Sequence, residues 1–444
     1  MGALSVHVHI PTGDAYVGCP SRDGPSSGGP RRRRVLLALI AALVLASTAV
    51  ALQQMPAAPA GPSVTGRGSL VERTYTRSYA LTGLQVGTTG DPVANGDRMR
   101  SVLAAAQPGD LITVAPGHYR LAGNVEFTVP NVTLKGLGAT REDVWFEHTT
   151  ETRAIFMVKA GGVHFYNFTH RVHGSTRSSQ GQSGEGNIWV QGGHSGFRMQ
   201  DVLAWGSRDA AIFLIDVHNF ELNRVESRDS KSDCYHVTYG SSYGTWYDSK
   251  STRCGDDGIG FVGYDGEGPG TPHHHTVVRH HVAGQSWGRG FGIIHTNNIT
   301  FHGPTLIEDS AGASVILARE SQYGSGAVRA IRFYGELRIR RANSNTNIGH
   351  GAIVINNPDT IAPIEDVLFT GPVLISDTRT TAPGQVRVFG AGRIQAEIRD
   401  VRFHGTGPTS RLWTSLAAGS TLTTPGWTAA TTYSGPAPAF PVGS

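Results

Sequence analysis

The sequence predicts an all-β fold, a single-stranded parallel β-helix in which the chain coils as a solenoid behind a short N-terminal capping helix. Composition is the first observation that predicts it. The 444 residues include 58 glycines and only 16% charged residues, which is typical of β-rich proteins with many tight turns. The second observation is a series of short apolar strands. The third is that some of these strands superimpose at intervals of about one solenoid turn.

Residues 1–51 have the features of an export leader. The basic run Arg31–Arg34 precedes the apolar run Val35–Ala46, and the segment closes on Ala49–Ala51. This order predicts a secretory signal peptide and a secreted protein that has no membrane contact after cleavage. The alternative is an uncleaved membrane anchor, because the apolar run is nearly long enough to span a bilayer. Residues 52–90 are rich in Pro, Ala, Gly and Thr and are predicted to be a linker.

The predicted β-helix domain covers residues 91–410, and residues 411–444 are predicted to be a C-terminal tail. Apolar residues at helical spacing predict a helix over Asp97–Ala106, and a Pro-Gly-Asp turn then leads into the strand Leu111–Tyr119. A helix at this place would cover the apolar core of the first coil. The arrangement resembles the N-terminal cap of right-handed parallel β-helix proteins, which implies a right-handed coil.

Four segments superimpose in a common register. They begin at Asp209, Asp233, Asp257 and Arg289, in steps of 24, 24 and 32 residues. An insertion over Asp265–His275 accounts for the longer step. The inward-facing columns that this register predicts are Ala211, Tyr235, Ile259 and Phe291, then Phe213, Val237, Phe261 and Ile293. The competing fold, a β-sandwich, has strands every 8–12 residues without such a register.

Charge and cysteine usage limit the partners. The net charge is +4, and four positive residues lie in Arg31–Arg34, so the rest of the chain has no basic patch of the kind that binds nucleic acids. Apart from Cys19 in the leader, the cysteines are Cys234 and Cys254. An exported pair can form a disulfide, but the register places Cys234 beside Gly258 rather than Cys254, which favours free thiols.

Three aspartates are the candidate catalytic residues. Adjacent coils lie about 4.8 Å apart, so the register stacks Asp233 on Asp257, with Asp256 beside them and Arg289 one coil further on. Crowded carboxylates repel one another, and folds tolerate this mostly where chemistry needs it. Asp209, by contrast, is predicted to cap a turn through its side chain.

The motifs around these aspartates resemble those of polygalacturonase-type glycoside hydrolases, which belong to the right-handed parallel β-helix, or pectin-lyase-like, superfamily. That family has Asn-Thr-Asp-Gly-x-Asp, then Asp-Asp, Gly-His-Gly and Arg-x-Lys on successive coils. This chain has Lys231–His236, Gly255–Gly258 and Gly288–Gly290 at the first three places. The resemblance implies a secreted, inverting hydrolase that acts on a polysaccharide.

The resemblance also implies roles for individual residues. Asp257 would be the general acid, while Asp233 and Asp256 would hold the attacking water as general base. His236 replaces the second aspartate of the first family motif, Arg289 replaces the histidine of Gly-His-Gly, and the Arg-x-Lys pair is missing. A neutral glycan is therefore as acceptable a substrate as galacturonan. The predicted substrate-binding residues are His236, Arg289, His295, Arg319 and Tyr264.

Aromatic and histidine side chains extend the list of candidates. Tyr264, Tyr243, Trp246 and Trp287 are each candidates for stacking on sugar faces, with ordinary packing as the alternative. His273–His275 is predicted to be solvated rather than metal-bound, since no carboxylate is spaced to complete a site. We expect no metal or other cofactor and a monomeric protein.

Two other functions remain open at this stage. One is a β-helix polysaccharide lyase or uronate C5-epimerase, in which His236, Arg289, His295 or Arg319 would act on a uronate and Ca²⁺ could take part. The other is a non-catalytic, glycan-binding surface protein. Hydrolysis is favoured because one carboxyl group must be protonated and another ionised, which crowded aspartates can achieve.

Overall fold

The computed structural model describes residues 73–152, 155–174, 176–177, 185–264, 272–344, 350–379 and 384–427. The predicted signal peptide in 1–51 lies outside these ranges, as does most of the predicted linker 52–90. Within the described residues, no helix has both the length and the apolar character needed to cross a membrane.

Within the described residues, the strands, numbered β1 to β33 in chain order, form an 11-stranded parallel sheet, which we call A, and a 22-stranded one. We divide the larger sheet into two faces, called sheets B and C, which β8 and β10 join. Sheet A consists of β4 Val125–Phe127, β7 Phe156–Val158, β9 Ile188–Ser195, β11 Ile212–His218, β14 Tyr235–Thr238, β17 Ile259–Val262, β20 Phe291–Ile294, β23 Val315–Ala318, β26 Ile353–Asn356, β29 Val386–Gly390 and β32 Leu412–Leu416.

Sheet B consists of β1 Arg77–Ala80, β2 Asp110–Val114, β5 Thr133–Gly136, β8 His164–Val172, β10 Arg198–Ser207, β12 Glu221–Asn223, β15 Thr245–Tyr247, β18 His273–Arg279, β21 Thr296–His302, β24 Val328–Tyr334, β27 Ile364–Phe369, β30 Ile394–Ile398 and β33 Thr421–Thr423.

Sheet C consists of β3 Gly117–Leu121, β6 Val144–His148, the second halves of β8 and β10, β13 Glu226–Ser230, β16 Lys250–Cys254, β19 Val282–Ser286, β22 Thr305–Glu308, β25 Leu337–Arg340, β28 Val373–Ser376 and β31 Val401–His404. From β10 to β23 the chain visits sheets B, C and A in turn, and every strand pairs in parallel with its counterparts in the neighbouring coils. The parallel β-helix is thus confirmed, and its parallel sheets fit a right-handed coil.

Single residues with a left-handed backbone bend the chain between sheets B and C. Asn167, Asp201, Arg224, Asp248 and His280 stand at this bend in successive coils, with φ between 49° and 55°. L-residues adopt this conformation at some cost, and Asn and Asp adopt it most readily. The repeated bend stacks the coils in register.

The register of sheet A differs from the predicted one by one residue at its first step. Ile212, not Ala211, pairs with Tyr235, so Ile212 enters the inward column with Ile259 and Phe291. A one-residue shift turns each side chain to the other face of a strand. Phe213 accordingly lies on the outer face of sheet A, with its ring 4.8 Å from that of His236. The later steps of 24 and 32 residues are confirmed.

The capping helix, α1, spans Pro92–Ala104. It begins five residues before the predicted Asp97–Ala106 because Asp91 caps it: the Asp91 carboxylate accepts hydrogen bonds from two backbone N–H groups of the first turn. Proline is well suited to the first helical position, where its missing N–H is not needed. Met99 and Leu103 are buried against the first coils.

Strand pairing extends beyond both ends of the predicted domain 91–410. Before residue 91, β1 pairs with β2. After residue 410, β32 pairs with β29 and β33 pairs with β30. The first part of the predicted tail therefore continues the coil.

Cys234 and Cys254 are joined by a disulfide, with their Cα atoms 5.3 Å apart, so the expectation of free thiols was wrong. The predicted register holds, because Tyr235 pairs with Ile259 and Cys234 therefore neighbours Gly258. However, Cys254 ends β16 in sheet C, and both cysteines point into the core, where they are almost fully buried. The bond crosses the interior of the corner, a geometry that strand register does not reveal.

Candidate active site

The site lies at the corner where the chain passes from sheet C to sheet A, which we call the C–A corner. Its segments in three successive coils are 231–234, 255–258 and 287–290. Backbone hydrogen bonds join them: Asp256 N–H donates to Ser232 O at 3.1 Å, and Gly288 N–H donates to Asp256 O at 2.9 Å. The corner segments are therefore as closely stacked as the strands on either side.

The three predicted aspartates meet at this corner. Asp233, Asp256 and Asp257 each present a carboxylate oxygen within 4.8 Å of the other two. The Asp233 Oδ1 atom accepts a hydrogen bond of 2.9 Å from the backbone N–H of Asp257. Asp233 and Asp257 are buried, whereas Asp256 is partly exposed.

Arg289 binds Asp257 at two places. The Arg289 backbone N–H and Nε–H donate to Asp257 Oδ1 at 2.9 and 2.7 Å. The far end of the guanidinium, Nη1, donates to Glu320 Oε1 at 2.9 Å. Tyr264 donates its hydroxyl to the other Glu320 oxygen at 2.7 Å. Arg289 thus lies where predicted, while Tyr264 is linked to the site through Glu320.

Arg177 supplies a second cation that the sequence did not indicate. It follows β8 and forms an ion pair with Asp256, with Nη2 and Oδ2 2.9 Å apart. Arg177 and Asp256 are 79 residues apart, and Arg177 belongs to an irregular connection outside the coil repeat. Neither a motif nor a period in the sequence could have paired them.

His236 contacts the aspartate of its own coil. Its Nδ1 atom lies 2.5 Å from Asp233 Oδ2, because residues three apart across the start of β14 bring these side chains together on the outer face of sheet A. The ring meets Phe213 edge-on. His236 therefore holds one carboxylate oxygen of Asp233, and the Asp257 N–H group holds the other.

Glycines leave room for the carboxylates on the outer face of sheet A. A Cβ atom at Gly292 would come within 2.2 Å of Asp257 Oδ2, and one at Gly288 would come within 2.2 Å of Asp256 Oδ1. At Gly260, it would lie 2.9 Å from Asp233 Oδ2. Gly260 and Gly292 are paired neighbours, so they form a side-chain-free floor between Asp233 and Asp257.

The three carboxyl groups differ in their pKa. Burial raises the pKa of Asp257 to about 8, with Arg289 opposing and the other two aspartates reinforcing the shift. Burial and the charge of Asp233 raise the pKa of Asp256. For Asp233, burial acts to raise the pKa, but His236, the Asp257 N–H group and the charge of Arg289 together hold it below the usual value. At neutral pH the site therefore combines a protonated acid with an ionised base, which is the division of roles that general acid–base catalysis requires.

Two predicted substrate-binding residues lie apart from the aspartates. Arg319 is buried, where its guanidinium donates to the backbone oxygens of Ser325 and Gly326 and pairs with Asp359. His295 is also buried, with its Nδ1 atom 3.1 Å from Gly263 O. Both residues brace loops at the C-terminal ends of the sheet A strands, and their assignment to substrate binding stays a prediction.

The aromatic candidates fall into two groups. Trp287 stands at the C–A corner with 60% of its surface exposed, so a sugar ring could stack on it. Tyr264 packs against Tyr323 with ring centroids 5.0 Å apart. Trp246 is wrong as a sugar contact, because it is buried in the core against Phe261. Tyr243 is exposed but stacks on His275, away from the C–A corner.

The predicted histidine run is divided between core and surface. His273 is buried and stacks on Phe261, while His274 contacts His275 at the surface. Within the described residues, the group with metal-ligand spacing is the aspartate trio itself. Two of its three carboxyl groups already pair with Arg177 and Arg289, which lowers the negative charge available to a cation.

Comparison with solved structures places the fold among known β-helices. The chain resembles the catalytic unit of a GH87 α-1,3-glucanase from Streptomyces thermodiastaticus strain HF3-3, at 18% identity and a TM-score of 0.52, over 81% of this chain and 70% of that one. It also resembles an endo-xylogalacturonan hydrolase from Aspergillus tubingensis, at 13% identity and a TM-score of 0.57, over 78% of this chain and 99% of that one. At these identities the likeness shows the fold, a parallel β-helix.

A further similar structure is a GH87 α-1,3-glucanase catalytic domain bound to nigerose. The identity is 10% and the TM-score 0.54, over 84% of this chain and 71% of that one. No protein-family model matches the sequence, and no curated protein matches it either.

Proposed function

We propose that this protein is a polysaccharide hydrolase that cleaves glycosidic bonds with Asp257 as general acid and with Asp233 and Asp256 as the base that activates water. The observation that carries the proposal is the trio of carboxyl groups whose environments set their pKa values apart. Glycoside hydrolysis needs one carboxyl group to protonate the leaving oxygen and another to act on water or on the sugar. Inversion of configuration is part of the proposal and follows from the resemblance to polygalacturonase-type enzymes.

The similar structures support a carbohydrate substrate. The GH87 α-1,3-glucanase domain with bound nigerose described above is a variant in which alanine replaces an aspartate. A second similar structure, also with nigerose, has alanine in place of another aspartate, and the two replaced positions are 24 residues apart. Asp233 and Asp257 are separated by the same number of residues. In this chain the spacing corresponds to one coil, and the shared spacing supports the assignment of the aspartates to a shared task.

The floor and edges of the site fit a sugar ring. Gly260 and Gly292 add no side chains of their own to the outer face of sheet A beside the two buried aspartates, and the Arg289 side chain lies across Gly292. Exposed Trp287 stands at the same corner, where an aromatic face can stack on the apolar face of a sugar. Arg289 is positioned to stabilise negative charge at Asp257 once that residue has given up its proton.

We also propose that the protein acts outside the cell as a monomer. The basic and apolar runs near the N-terminus have the order of a signal peptide. The Cys234–Cys254 disulfide agrees with an oxidising compartment.

Two substitutions test the assignment. Asp257→Asn and Asp233→Asn should each lower kcat by at least about 10³-fold, because general acid or base assistance is lost, with little change in Tm. The measurement is reducing-sugar release from a panel of neutral and acidic polysaccharides. Asp229→Asn is the matched control: Asp229 pairs with Arg253 on the surface, and asparagine tolerates its left-handed backbone. Near-parental activity in either test variant would refute the catalytic role of the aspartate concerned.

The same panel separates the alternative functions. A polysaccharide lyase would produce ultraviolet absorbance from an unsaturated uronate, and a chelator would abolish it if Ca²⁺ takes part. A glycan-binding protein would retain its affinity after Asp257→Asn and would release no sugar in any form. Either result would replace hydrolysis as the function.

A further inference from the structure

Glu320 is joined to the aspartate trio from the far end of sheet A. The trio lies before the sheet A strands, whereas Glu320 follows β23. Arg289 spans this distance: its Nε contacts Asp257, and its Nη1 contacts Glu320. The side chain crosses the outer face of the sheet at Gly292, where a Cβ atom would come within 3.5 Å of Nε. One guanidinium therefore binds two carboxylates, one in the coil before its own and one in the coil after it.

Both oxygens of Glu320 are engaged. Oε1 accepts from Arg289, and Oε2 accepts from the Tyr264 hydroxyl. Tyr264 is held in turn by its ring contact with Tyr323. Glu320 is therefore fixed at the surface end of Arg289 rather than free to swing into solvent.

Among the described residues around Asp257, two carboxyl groups share one guanidinium. The groups that face this cluster are the carboxyls of Asp233, Asp256, Asp257 and Glu320, the cations Arg177 and Arg289, the imidazoles of His236 and His350, and the Tyr264 hydroxyl. Arg177 forms an ion pair with Asp256, and His236 contacts Asp233 through its Nδ1 atom. Asp257 and Glu320 share Arg289, so a proton on Asp257 leaves a single negative charge beside this guanidinium.

We propose that Glu320 is a positioning residue that holds Arg289 extended across Gly292 and takes up part of its charge, so that Asp257 keeps the proton it donates to the leaving oxygen. The proposal rests on the proposed function, in which Asp257 is the general acid. If Arg289 served Asp257 alone, its full positive charge would favour the ionised carboxylate. Glutamate at position 320 prevents this without touching the substrate.

Glu320→Gln tests the proposal, because glutamine keeps an acceptor for Arg289 and removes the negative charge. The alkaline limb of the kcat/KM profile should move about one pH unit to lower pH. Activity should recover towards the parental value in acid. Glu365→Gln is the matched control, since both oxygens of Glu365 are likewise engaged, by Arg329 and Arg393, but on the surface of sheet B. An equal loss of activity at every pH would overturn the proposal and indicate a merely structural role.

A titration without substrate separates this proposal from the proposed function. Carboxyl ¹³C shifts of the labelled protein should show one group that titrates near pH 8, absent in Asp257→Asn and moved to lower pH in Glu320→Gln. An unmoved titration would refute the role of Glu320 even if the protein hydrolyses a glycan. A moved titration in a protein that cleaves no glycan would uphold the charge sharing and reject the proposed hydrolase.

Discussion

Asp256 and Asp257 are adjacent in the sequence but have opposite environments. Asp256 is partly exposed and pairs with Arg177, whereas Asp257 is fully buried and is held by Arg289 through both backbone and side chain. In an extended chain, neighbouring side chains point in different directions. The Asp-Asp pair thus gives the site one carboxyl group that is partly exposed and one that is buried.

The pH dependence of the reaction follows from these environments. The acid must be protonated, and the pKa of Asp257 is about 8, so kcat/KM should fall as pH rises through about 8. The base must be ionised, and the pKa of Asp233 lies below 3.8, so Asp233 should limit activity only in stronger acid. A pH–rate profile of the parent protein checks both limbs. A maximum confined to pH below 5 would contradict the assignment of Asp257.

The glycine floor gives a second prediction at this scale. Gly292→Ala would place a Cβ atom 2.2 Å from Asp257 Oδ2, so the carboxyl group must move, and displacement by about 1 Å can cost roughly 100-fold in kcat. Gly284→Ala, in the same coil, is the control, because its Cβ would meet the Thr252 side chain at an ordinary 3.5 Å. Equal activity in the two variants would show that the floor is not needed.

At the scale of elements, the disulfide joins the two segments that carry the aspartates. Cys234 follows Asp233 directly, Cys254 precedes Asp256 by two residues, and the bond closes a separation of 20 residues. Replacing both cysteines by alanine should lower the free energy of unfolding by about 3 kcal/mol. Urea unfolding of the parent with and without reductant provides the check. The loss caused by reductant should disappear in the double variant, and its persistence would point to another cause.

The sequence predicts the coil better than its irregular parts. The steps to Asp257 and Arg289 are correct because the corners in these coils have regular lengths apart from one insertion. The step to Tyr235 is one residue shorter, since a corner can lose a residue without leaving a mark in the apolar pattern. Arg177 and Glu320 come from connections that follow no period, so only the folded chain shows that they meet the aspartates.

At the scale of the whole molecule, the core of the coil contains histidines. Burial lowers the pKa of His148 to about 4 and that of His273 and His281 to about 3, and it lowers the pKa of His170 as well. Each is neutral in the folded protein at neutral pH. His148 and His170 contact each other through ring nitrogens 2.8 Å apart, which requires that at least one of the two rings accept a hydrogen bond.

These histidines predict acid sensitivity. In the unfolded chain they bind protons below about pH 6.5, while the folded protein resists protonation down to about pH 4, so stability is complete above pH 6.5 and is lost as pH falls. At pH 5 the loss should be about 2 kcal/mol for each histidine. Urea unfolding at pH 7 and pH 5 measures it. The matched variant His281→Gln should show a smaller difference between the two pH values, and an unchanged difference would exclude His281 as a source.

The residues of the site come from two kinds of segment. Asp233, Asp256 and Asp257 belong to corners fixed by the coil register, whereas Arg177, Tyr264 and Glu320 stand on connections that leave the coil. Connections tolerate changes of length and sequence that a stacked coil does not. Under the proposed function, exchange of these connections would therefore retune the working pH and the choice of glycan while the three aspartates stay in place.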